Sequence, residues 1–168
     1  MTSIVLRLAV EDPELRNFYL PQINAHNDAI INTSHPNSGF DLYVPHTHVF
    51  APNIHTSKIN FGVKTEMLMI DLNGGITPCA FYLMPRSSLS NTPLMLSNHV
   101  GVVDSGYRGD IIGAFRNLSN NEFIAEERTR LLQICHPSLI PFRVDLVSSV
   151  NDLSTTSRGS GGFGSTGR

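Results

Sequence analysis

The densest group of residues able to do chemistry lies in NHVGVVDSGYRGDI, from Asn98 to Ile111. Asp104 ends an apolar run and opens a turn, so its carboxylate would be held rigidly and partly desolvated at a sheet rim, as a general base requires. Tyr107 follows three residues later, and its flat ring could pack against a sugar and leave no room for an additional hydroxyl. Taken alone, D-S-G-Y also reads as a hairpin turn with its usual Asp and Gly.

Two shorter segments place donors and a carboxylate beside predicted strands. In PRSSL, Arg86, Ser87 and Ser88 follow the apolar run AFYLM, and donors at a strand end can hold a phosphate. In SGFDL, Asp41 stands between apolar neighbours, where a carboxylate is costly to desolvate unless it is paired or faces a site. Each segment alone is better explained as a surface turn or a capping Asp.

The last eleven residues, RGSGGFGSTGR from Arg158 to Arg168, combine five glycines with two arginines and one phenylalanine. Glycine lets backbone N–H groups approach an anion, arginine supplies a fork of donors for phosphate, and an isolated ring can lie on a base. Groups that could bind phosphates together with a base indicate a nucleotide ligand. A glycine- and serine-rich end is, by itself, more often simply a flexible terminus.

Short runs rich in Val, Ile and Phe recur between turn clusters and predict an all-β sandwich or barrel that positions these groups. Asn73-Gly74-Gly75 and Asp104-Ser105-Gly106 predict tight turns that use positive φ. Strands are expected at Ile4–Leu8, Leu42–Val44, Ile59–Val63, Ala80–Met84, Val100–Val103, Ile111–Phe115, Leu131–Cys135 and Phe142–Val147.

One short helix is predicted after the first strand. Asp12 and Pro13 supply an N-cap and a first helical residue, an apolar stripe at helical spacing follows, and Pro21 limits the run. The stripe is expected to pack on the core.

Length and composition allow one domain with its own core, since the chain has 168 residues of which 40% are hydrophobic. We assign residues 1–150 to a β domain, with a helical insertion at about residues 12–36, and residues 151–168 to a flexible C-terminal arm. The formal net charge of −2 and the lack of a basic run argue against binding to polymeric nucleic acid or to a membrane surface.

Cysteine usage and the N-terminus predict an intracellular protein. Cys79 and Cys135 lie in apolar runs with no pairing or metal-ligand spacing, and we expect them to be buried free thiols. No charged lead precedes a long apolar core, and no run of about eighteen apolar residues occurs. We therefore expect a cytoplasmic or nuclear protein that is not secreted, and a viral origin is compatible with this expectation.

Five segments of the chain closely resemble, in order and spacing, the five motifs of the homotrimeric dUTPases, the deoxyuridine 5'-triphosphate nucleotidohydrolases. The segments are SGFDL, PRSSL, GVVDSGYRGDI, RLLQIC and RGSGGFGSTG. The resemblance runs from about Ser38 to the C-terminus, and the third and fifth motifs are the specific ones. It implies a distorted jelly-roll or β-clip barrel with the helix as an insertion. It also implies hydrolysis of dUTP to dUMP and pyrophosphate, which keeps uracil out of DNA and supplies dUMP for dTTP synthesis.

The third motif carries the reacting and base-reading residues that the resemblance implies. Asp104 corresponds to the general base that activates the water attacking the α-phosphorus, and Tyr107 corresponds to the aromatic beneath the deoxyribose. Asn98 and the backbone of Val102 and Val103 would read the uracil edge. A cytosine would leave those groups mismatched, because its donor and acceptor are exchanged.

The other motifs would hold the phosphates. The implied contacts are Arg86, Ser87, Ser88 and Gln133 at the phosphates, Arg158 at the γ-phosphate, Phe163 stacked on uracil, and Gly164, Ser165 and Thr166 along the phosphate chain. Asp41 would lie near the sugar and a metal-bound water, with Mg²⁺ held by the phosphate oxygens. The resemblance further implies a homotrimer with sites shared between subunits.

Two positions depart from the commoner pattern of the family. Ser88 stands where many members have glycine, which adds a hydroxyl. Arg128-Thr129 stands where Gly-Asp is common, although Arg130 and Gln133 keep their relative positions. The second departure leaves the local turn of the fourth motif open.

Two alternative functions stay open on the same scaffold. A dCTP deaminase or bifunctional deaminase would need a glutamate on the strand after the third motif, where this chain has Ala114 and no acid between Ile111 and Leu118. A non-catalytic nucleotide sensor would need neither Asp104 nor a complete arm.

A zinc site is not predicted at His46 and His48. The two residues alternate along a strand and would share one face, but no Cys, Asp or Glu partner follows at a convincing spacing. Surface or core histidines are the simpler interpretation.

Overall fold

The computed structural model describes residues 2–53 and 55–161. Within them the chain forms twelve strands, one α-helix and two short 3₁₀ turns, at Ser87–Asn91 and Val150–Asp152. The elements are β1 (Ser3–Val10), α1 (Pro13–Asn32), β2 (Gly39–Tyr43), β3 (His48–Phe50), β4 (Thr56–Ile70), β5 (Ile76–Cys79), β6 (Phe81–Pro85), β7 (Leu94–Leu96), β8 (Gly101–Val103), β9 (Asp110–Asn117), β10 (Phe123–Ala125), β11 (Arg130–Cys135) and β12 (Arg143–Leu146).

The strands form two larger sheets and one strand pair. One sheet has the order β12-β1-β4-β9-β7, with β5 paired to β4, and the other has the order β2-β11-β6-β8. Strands β3 and β10 form the separate pair. The chain passes back and forth between the two sheets, so most connections cross the sandwich. This is a distorted jelly roll, and the predicted all-β fold is confirmed.

Alternating side chains of both sheets build the core. Leu6 and Leu8 of β1, Phe61 of β4, Leu42 of β2 and Phe115 of β9 are all fully buried. Each such side chain contributes about 1.5–3 kcal/mol relative to an exposed position. The core therefore fixes the register of the strands whose ends carry the motifs.

Helix α1 begins where the sequence predicts but ends later. The Asp12 carboxylate accepts a hydrogen bond of 2.7 Å from the Leu15 N–H, and Pro13 is the first helical residue. The prediction that Pro21 limits the helix is wrong, because the helix continues to Asn32. An internal proline costs about 3 kcal/mol, so contacts elsewhere must hold the second half of the helix.

Those contacts join α1 to the edge strand β12. The Asn27 side chain donates to the Val144 carbonyl and accepts from the Val144 N–H, both at 2.9 Å. His26 makes a further hydrogen bond of 2.8 Å to the Phe142 carbonyl. The insertion thus covers an edge that would otherwise expose unpaired backbone groups.

Each predicted strand overlaps an observed one, but β5, β7 and β10 were not predicted, and of the two histidines expected on one strand only His48 lies in β3 while His46 precedes it. The three strands that were not predicted have three or four residues each, too few to show a periodic pattern. Strand β4 is much longer than predicted, and its register against β9 shifts between Asn60 and Lys64. Gly62 lies within this bulge with a φ of 68°.

The turn predicted at Asn73-Gly74-Gly75 joins β4 to β5. The Asp71 N–H donates to the Gly75 carbonyl at 2.9 Å, and Gly74 has a φ of 83°. The tight turn with positive φ is confirmed here.

Both cysteines are free thiols. Cys135 is buried as predicted, whereas Cys79 is only half-buried at the end of β5. No helix within residues 2–53 and 55–161 has the length and apolarity to cross a membrane.

Candidate active site

A pocket of about 210 Å³ lies beside Asp104, between the ends of β8 and β9. We call it the Asp104 pocket. It brings together the predicted base, sugar wall and base-reading residues: Asn98, Val102, Val103, Asp104, Tyr107 and Arg158. All six were singled out from the sequence.

Asp104 opens a turn of four residues, Asp104–Tyr107, which we call the Asp104 turn. The Tyr107 N–H donates to the Asp104 carbonyl at 3.0 Å and closes the turn. The turn was predicted, but its predicted positive φ at Gly106 is wrong, since Gly106 is not among the glycines with positive φ. A turn whose middle residues keep negative φ closes with the same hydrogen bond, as in type I turns.

The Asp104 carboxylate is 51% exposed and pairs with the arm. Its Oδ2 lies 2.5 Å from Nη1 of Arg158. One carboxylate oxygen is therefore occupied by a guanidinium group in this arrangement.

Tyr107 forms a flat wall of the pocket over a glycine. Its hydroxyl donates to the Asp110 carbonyl at 2.8 Å, which fixes the ring. A Cβ at Gly109 would lie 2.5 Å from the Tyr107 hydroxyl oxygen, so glycine gives the ring its space. Burial, and after it the charge of Asp110, raises the pKa of the Tyr107 hydroxyl, so the ring stays neutral.

Strand β8 is the edge of its sheet and forms the opposite wall. In the part of the chain that the structure describes it pairs only with β6, so alternate N–H and C=O groups of Gly101–Val103 have no partner in the sheet. Val102 is 64% exposed, and no side-chain hydrogen bond of Asn98 occurs within the described residues. These groups are free to pair with the edge of a flat, polar ring.

A second pocket, of about 360 Å³, lies at the other end of β6. We call it the Asp41 pocket. It is lined by Asp41 of β2, Gln133 of β11 and the two residues that follow β6, Arg86 and Ser87. Ser88 is exposed in the adjoining 3₁₀ turn and does not line the pocket.

Strand register explains why three motifs meet there. Strand β11 pairs with both β2 and β6, and Gln133 stands opposite Asp41 on one side and Met84 on the other. The Gln133 side chain donates to the Pro85 carbonyl at 3.4 Å. Separate stretches of sequence thus become neighbours across one sheet.

One carboxylate and two guanidinium groups stand together at the Asp41 pocket. Asp41 forms an ion pair with Arg86, and its Oδ2 also lies 3.3 Å from Nη1 of Arg130. Within the described residues the buried Arg86 Nε has no hydrogen-bond partner. The group carries one net positive charge, which favours the approach of an anion.

The two pockets do not meet within one chain. Val103 pairs with Phe81 at one end of β6, while Pro85 and then Arg86 lie at the other end. At roughly 3.3 Å per residue, Asp104 and Arg86 are separated by about 20 Å of backbone. Among the described residues the two pockets share no lining residue.

The first residues of the arm contact the Asp104 turn. The Thr156 hydroxyl donates to the Gly106 carbonyl at 2.5 Å, and the Arg108 N–H donates to the Gly159 carbonyl at 2.8 Å. The flexibility predicted for residues 151–168 stays a prediction. Phe163, Gly164, Ser165 and Thr166 lie outside the described residues.

Sequence reasoning missed Glu66 and Arg108, which hold the Asp104 turn from behind. Glu66 of β4 is 1% exposed and pairs with Arg108 at 2.9 Å. A signal was present, because a carboxylate within the apolar run TEMLMI is costly to bury without partners.

The turn of the fourth motif, whose conformation the sequence left undecided, forms around Arg128. The Arg128 N–H donates to the Val44 carbonyl at 2.7 Å, and Arg128 has a φ of 65°, a conformation that glycine adopts freely. The guanidinium lies 4.6 Å from the ring centroid of Phe18 on α1, and its Nη2 is 2.9 Å from Glu127. The unusual arginine and the helical insertion thus contact each other.

His48, one of the two histidines considered for a metal site, contacts a hydroxyl group of β4. The His48 Nε2 is 2.8 Å from the Ser57 hydroxyl, and burial lowers the pKa of His48. In the part of the chain that the structure describes, no group of three His, Cys, Asp or Glu side chains could hold a metal ion.

Known proteins resemble this chain in both sequence and fold. A deoxyuridine 5'-triphosphate nucleotidohydrolase of Polynucleobacter asymbioticus is 37% identical over 90 residues, which are 53% of this chain and 58% of that protein. The same enzyme of Burkholderia mallei is 37% identical over 90 residues, or 53% of this chain and 59% of its own length. The chain thus spans less than two thirds of the length of these relatives.

One solved structure is also similar to this chain. The dUTPase of Streptococcus mutans is 25% identical with a TM-score of 0.50, over 66% of this chain and 82% of that chain. The dUTPase family model matches residues 26–167, which include all five motifs. This chain belongs to the dUTPase family.

Proposed function

We propose that this chain hydrolyses dUTP to dUMP and pyrophosphate. The observation that carries the proposal is the Asp104 pocket, where a carboxylate, a neutral aromatic wall and an unpaired strand edge face one cavity. A carboxylate can accept a proton from water, the ring can stack beneath a deoxyribose, and the strand edge can pair with uracil. Membership in the dUTPase family supports the same assignment.

The proposed reaction is an in-line displacement at the α-phosphorus. Asp104 takes a proton from a water molecule while the water oxygen forms a bond to phosphorus. The bond from that phosphorus to the bridging oxygen breaks, and pyrophosphate leaves with the bonding electrons. The products are dUMP and pyrophosphate, and the proton on Asp104 is later released to solvent.

Arg158 would change partners during this reaction. In the structure its guanidinium occupies one oxygen of Asp104. A triphosphate carries more negative charge than one carboxylate, so we expect the γ-phosphate to draw Arg158 away and free Asp104. Closure of the arm, with Phe163 on uracil and Gly164, Ser165 and Thr166 at the phosphates, would then exclude water.

A homotrimer with shared sites would join the two pockets. Asp104 and Arg86 lie at opposite ends of β6, and we infer that the phosphate-binding residues of a site come from another copy of the chain. Arg86, Ser87 and Gln133 of that copy would face the phosphates, with Ser88 beside them. Closed cyclic symmetry brings one surface of each subunit against a different surface of the next.

We expect Mg²⁺ to enter the shared site bound to the phosphates of the nucleotide. Both oxygens of Asp41 already contact guanidinium groups, so Asp41 could reach a bound ion only through water. Mg²⁺ commonly binds substrate phosphates and retains several waters, and there it would neutralise phosphate charge. The protein side chains would then orient the nucleotide and supply the base.

The deaminase alternative lacks a residue in the right place. Ala114 lines the Asp104 pocket at the position where the deaminases carry their glutamate. Asp110 also lines it, but Asn60 Nδ2 donates to its carboxylate at 2.8 Å. A sensor without catalysis would leave the geometry of Asp104 unexplained.

An intracellular location is part of the proposal. Both cysteines are free thiols, as expected for a reducing compartment such as the cytoplasm or nucleus.

One substrate panel tests these alternatives. The protein is incubated with Mg²⁺ and dUTP, dCTP, dTTP or UTP in turn, and pyrophosphate and ammonia are measured. We expect pyrophosphate from dUTP and no ammonia from dCTP. Ammonia from dCTP would favour the deaminase, and binding of dUTP without any product would favour the sensor.

A further inference from the structure

We propose that Glu66 and Arg108 are positioning residues that hold the Asp104 turn and the start of the arm in the geometry needed for hydrolysis. The inference rests on the proposed function, because it concerns the same carboxylate. Neither side chain lines the Asp104 pocket, so neither is expected to touch substrate. Their effect must pass through hydrogen bonds to the turn.

Glu66 is the buried anchor of this arrangement. Its Oε1 accepts from Nη1 of Arg7 at 2.5 Å, and its Oε2 accepts from Nη2 of Arg108 at 2.9 Å. The same Oε2 accepts from the Ser154 hydroxyl at 2.6 Å and from the Ser154 N–H at 3.2 Å. A buried carboxylate with this many donors stays ionised and in place.

The pKa of Glu66 agrees with this arrangement. Burial acts to raise it, but the hydrogen bonds from Ser154 and the charge of Arg108 outweigh burial and leave the pKa below its ordinary value.

Arg108 uses all five of its side-chain donors. Its Nη1 donates to the carbonyls of Ser105 and Tyr107, both at 2.8 Å. Its Nε donates to the Ser154 carbonyl at 2.9 Å, and its Nη2 donates to the Ser154 hydroxyl at 2.7 Å as well as to Glu66. The planar fork therefore connects the Asp104 turn, the arm and the anchor at once.

Every carbonyl of the Asp104 turn accepts a hydrogen bond as a result. Arg108 binds those of Ser105 and Tyr107, the Thr156 hydroxyl binds that of Gly106, and the Tyr107 N–H binds that of Asp104. The carbonyls of the turn are thus held in place, while Arg158 is the only ion-pair partner of the Asp104 carboxylate within residues 2–53 and 55–161. A general base needs such a rigid support.

Arg7 provides a natural comparison. It pairs with the same carboxylate as Arg108, but from β1 and through the other oxygen, and within the described residues none of its hydrogen bonds reaches the Asp104 turn or the arm. A loss of stability should follow from changing either arginine. A loss of positioning should follow only from changing Arg108.

The experiment compares Arg108→Lys with Arg7→Gln in the full-length protein. For each, kcat and KM for dUTP are measured per folded active site, together with the Kd of a dUTP mimic with a non-hydrolysable α,β-bridge. Hydrogen exchange of the Tyr107 and Arg108 amides is followed by NMR. Ser154→Ala, which removes one link to Glu66, is the second variant should Arg108→Lys not fold.

We expect Arg108→Lys to lower kcat about 10- to 100-fold while the Kd of the mimic changes by less than about threefold, because misplacement of a base slows the reaction without weakening binding. Exchange at Tyr107 and Arg108 should become faster. Arg7→Gln should leave kcat per folded site within about twofold of wild type and exchange unchanged. Ser154→Ala should lower kcat by a smaller factor than Arg108→Lys.

Equal effects of the two arginine variants on kcat, or normal kcat and exchange in Arg108→Lys, would overturn the inference. Wild-type protein that does not hydrolyse dUTP would overturn the proposed function instead. In that case the exchange comparison alone would decide whether Arg108 holds the turn.

Discussion

The Asp104 and Asp41 pockets each contain an aspartate paired with arginine, but the pairs differ in where the arginines stand. Asp104 is half-exposed and pairs with Arg158 on the arm, whereas Asp41 is only 17% exposed and pairs with two arginines of the β-sheet region, Arg86 and Arg130. We expect Arg158 to move away with the arm more readily than Arg86 and Arg130, which stand beside or within strands. Asp104 thus suits a base that is released when substrate binds, and Asp41 suits a residue that orients arginines for phosphate.

The two pockets also differ in how complete they are. The Asp104 pocket has its ring, strand edge and supporting hydrogen bonds within one chain. The Asp41 pocket has donors from Arg86 and Ser87, but among the described residues no aromatic side chain lines it. We therefore expect nucleoside selection and phosphate binding to be divided between the two pockets.

The largest expected effect is that of Asp104→Asn. We expect kcat for dUTP to fall about 10²- to 10⁴-fold, because a general base is removed. The Kd of a non-hydrolysable mimic should change little. Asp145→Asn, on the far edge strand β12, is the matched control. Turnover that survives in Asp104→Asn would remove the basis for assigning chemistry to this pocket.

The second effect concerns stability around the Asp104 pocket. Glu66→Gln should lower the free energy of unfolding by about 3–5 kcal/mol near neutral pH, because it leaves buried arginines without their carboxylate. The pKa of Glu66 is lowered in the folded state, so its contribution is present above the ordinary value of 4.5 and is lost as the pH falls through the lowered pKa.

Denaturant unfolding of both proteins from pH 7 to pH 3 measures this contribution. The difference in free energy between wild type and Glu66→Gln should shrink at the acid end. A difference that stays constant over this range would contradict the assigned ionisation of Glu66.

The third effect tests sugar selection. Tyr107→Ala should raise kcat/KM for UTP relative to dUTP by about 10-fold or more, since the wall that excludes a 2'-hydroxyl is gone. Tyr107→Phe keeps the ring and should keep the selectivity. Competition between UTP and dUTP gives this ratio directly, and an unaltered ratio would assign sugar selection to other residues.

The smallest expected effect concerns the contact between Arg128 and Phe18. Phe18→Leu and Arg128→Gly should couple by about 0.5–1 kcal/mol in a double-mutant cycle of unfolding, as expected for a cation–π contact. Arg128→Gly alone should cost little, because glycine relieves the positive φ of 65°. Zero coupling would mean that the insertion and the fourth motif do not stabilise each other.

Much of the fold was predictable because its strands alternate and its turns use glycine and aspartate. The C-terminal end of α1 was less so: Pro21 is a real local penalty, and contacts such as those of Asn27 and His26 with residues far along the chain offset it. Strands of three residues, such as β3 and β10, gain their structure from pairing with each other rather than from a pattern of their own.

The candidate site was predictable wherever a motif is continuous. Residues of Asn98–Tyr107 were found because they follow one another, and the structure brings them to one pocket. Glu66 is 42 residues from Arg108, and only folding makes them partners. The distance between the pockets was also hidden, since it depends on which end of β6 each motif occupies.

The most direct test of the account mixes two inactive proteins. Asp104→Asn damages one pocket and Arg86→Gln the other, and the two variants are unfolded together, refolded and assayed for dUTP hydrolysis. If each site combines the Asp104 pocket of one copy with the Asp41 pocket of another, random mixing should restore activity to about a quarter of the wild-type value. A mixture as inactive as its two components would contradict the account, because it would place both residues in the site of a single chain.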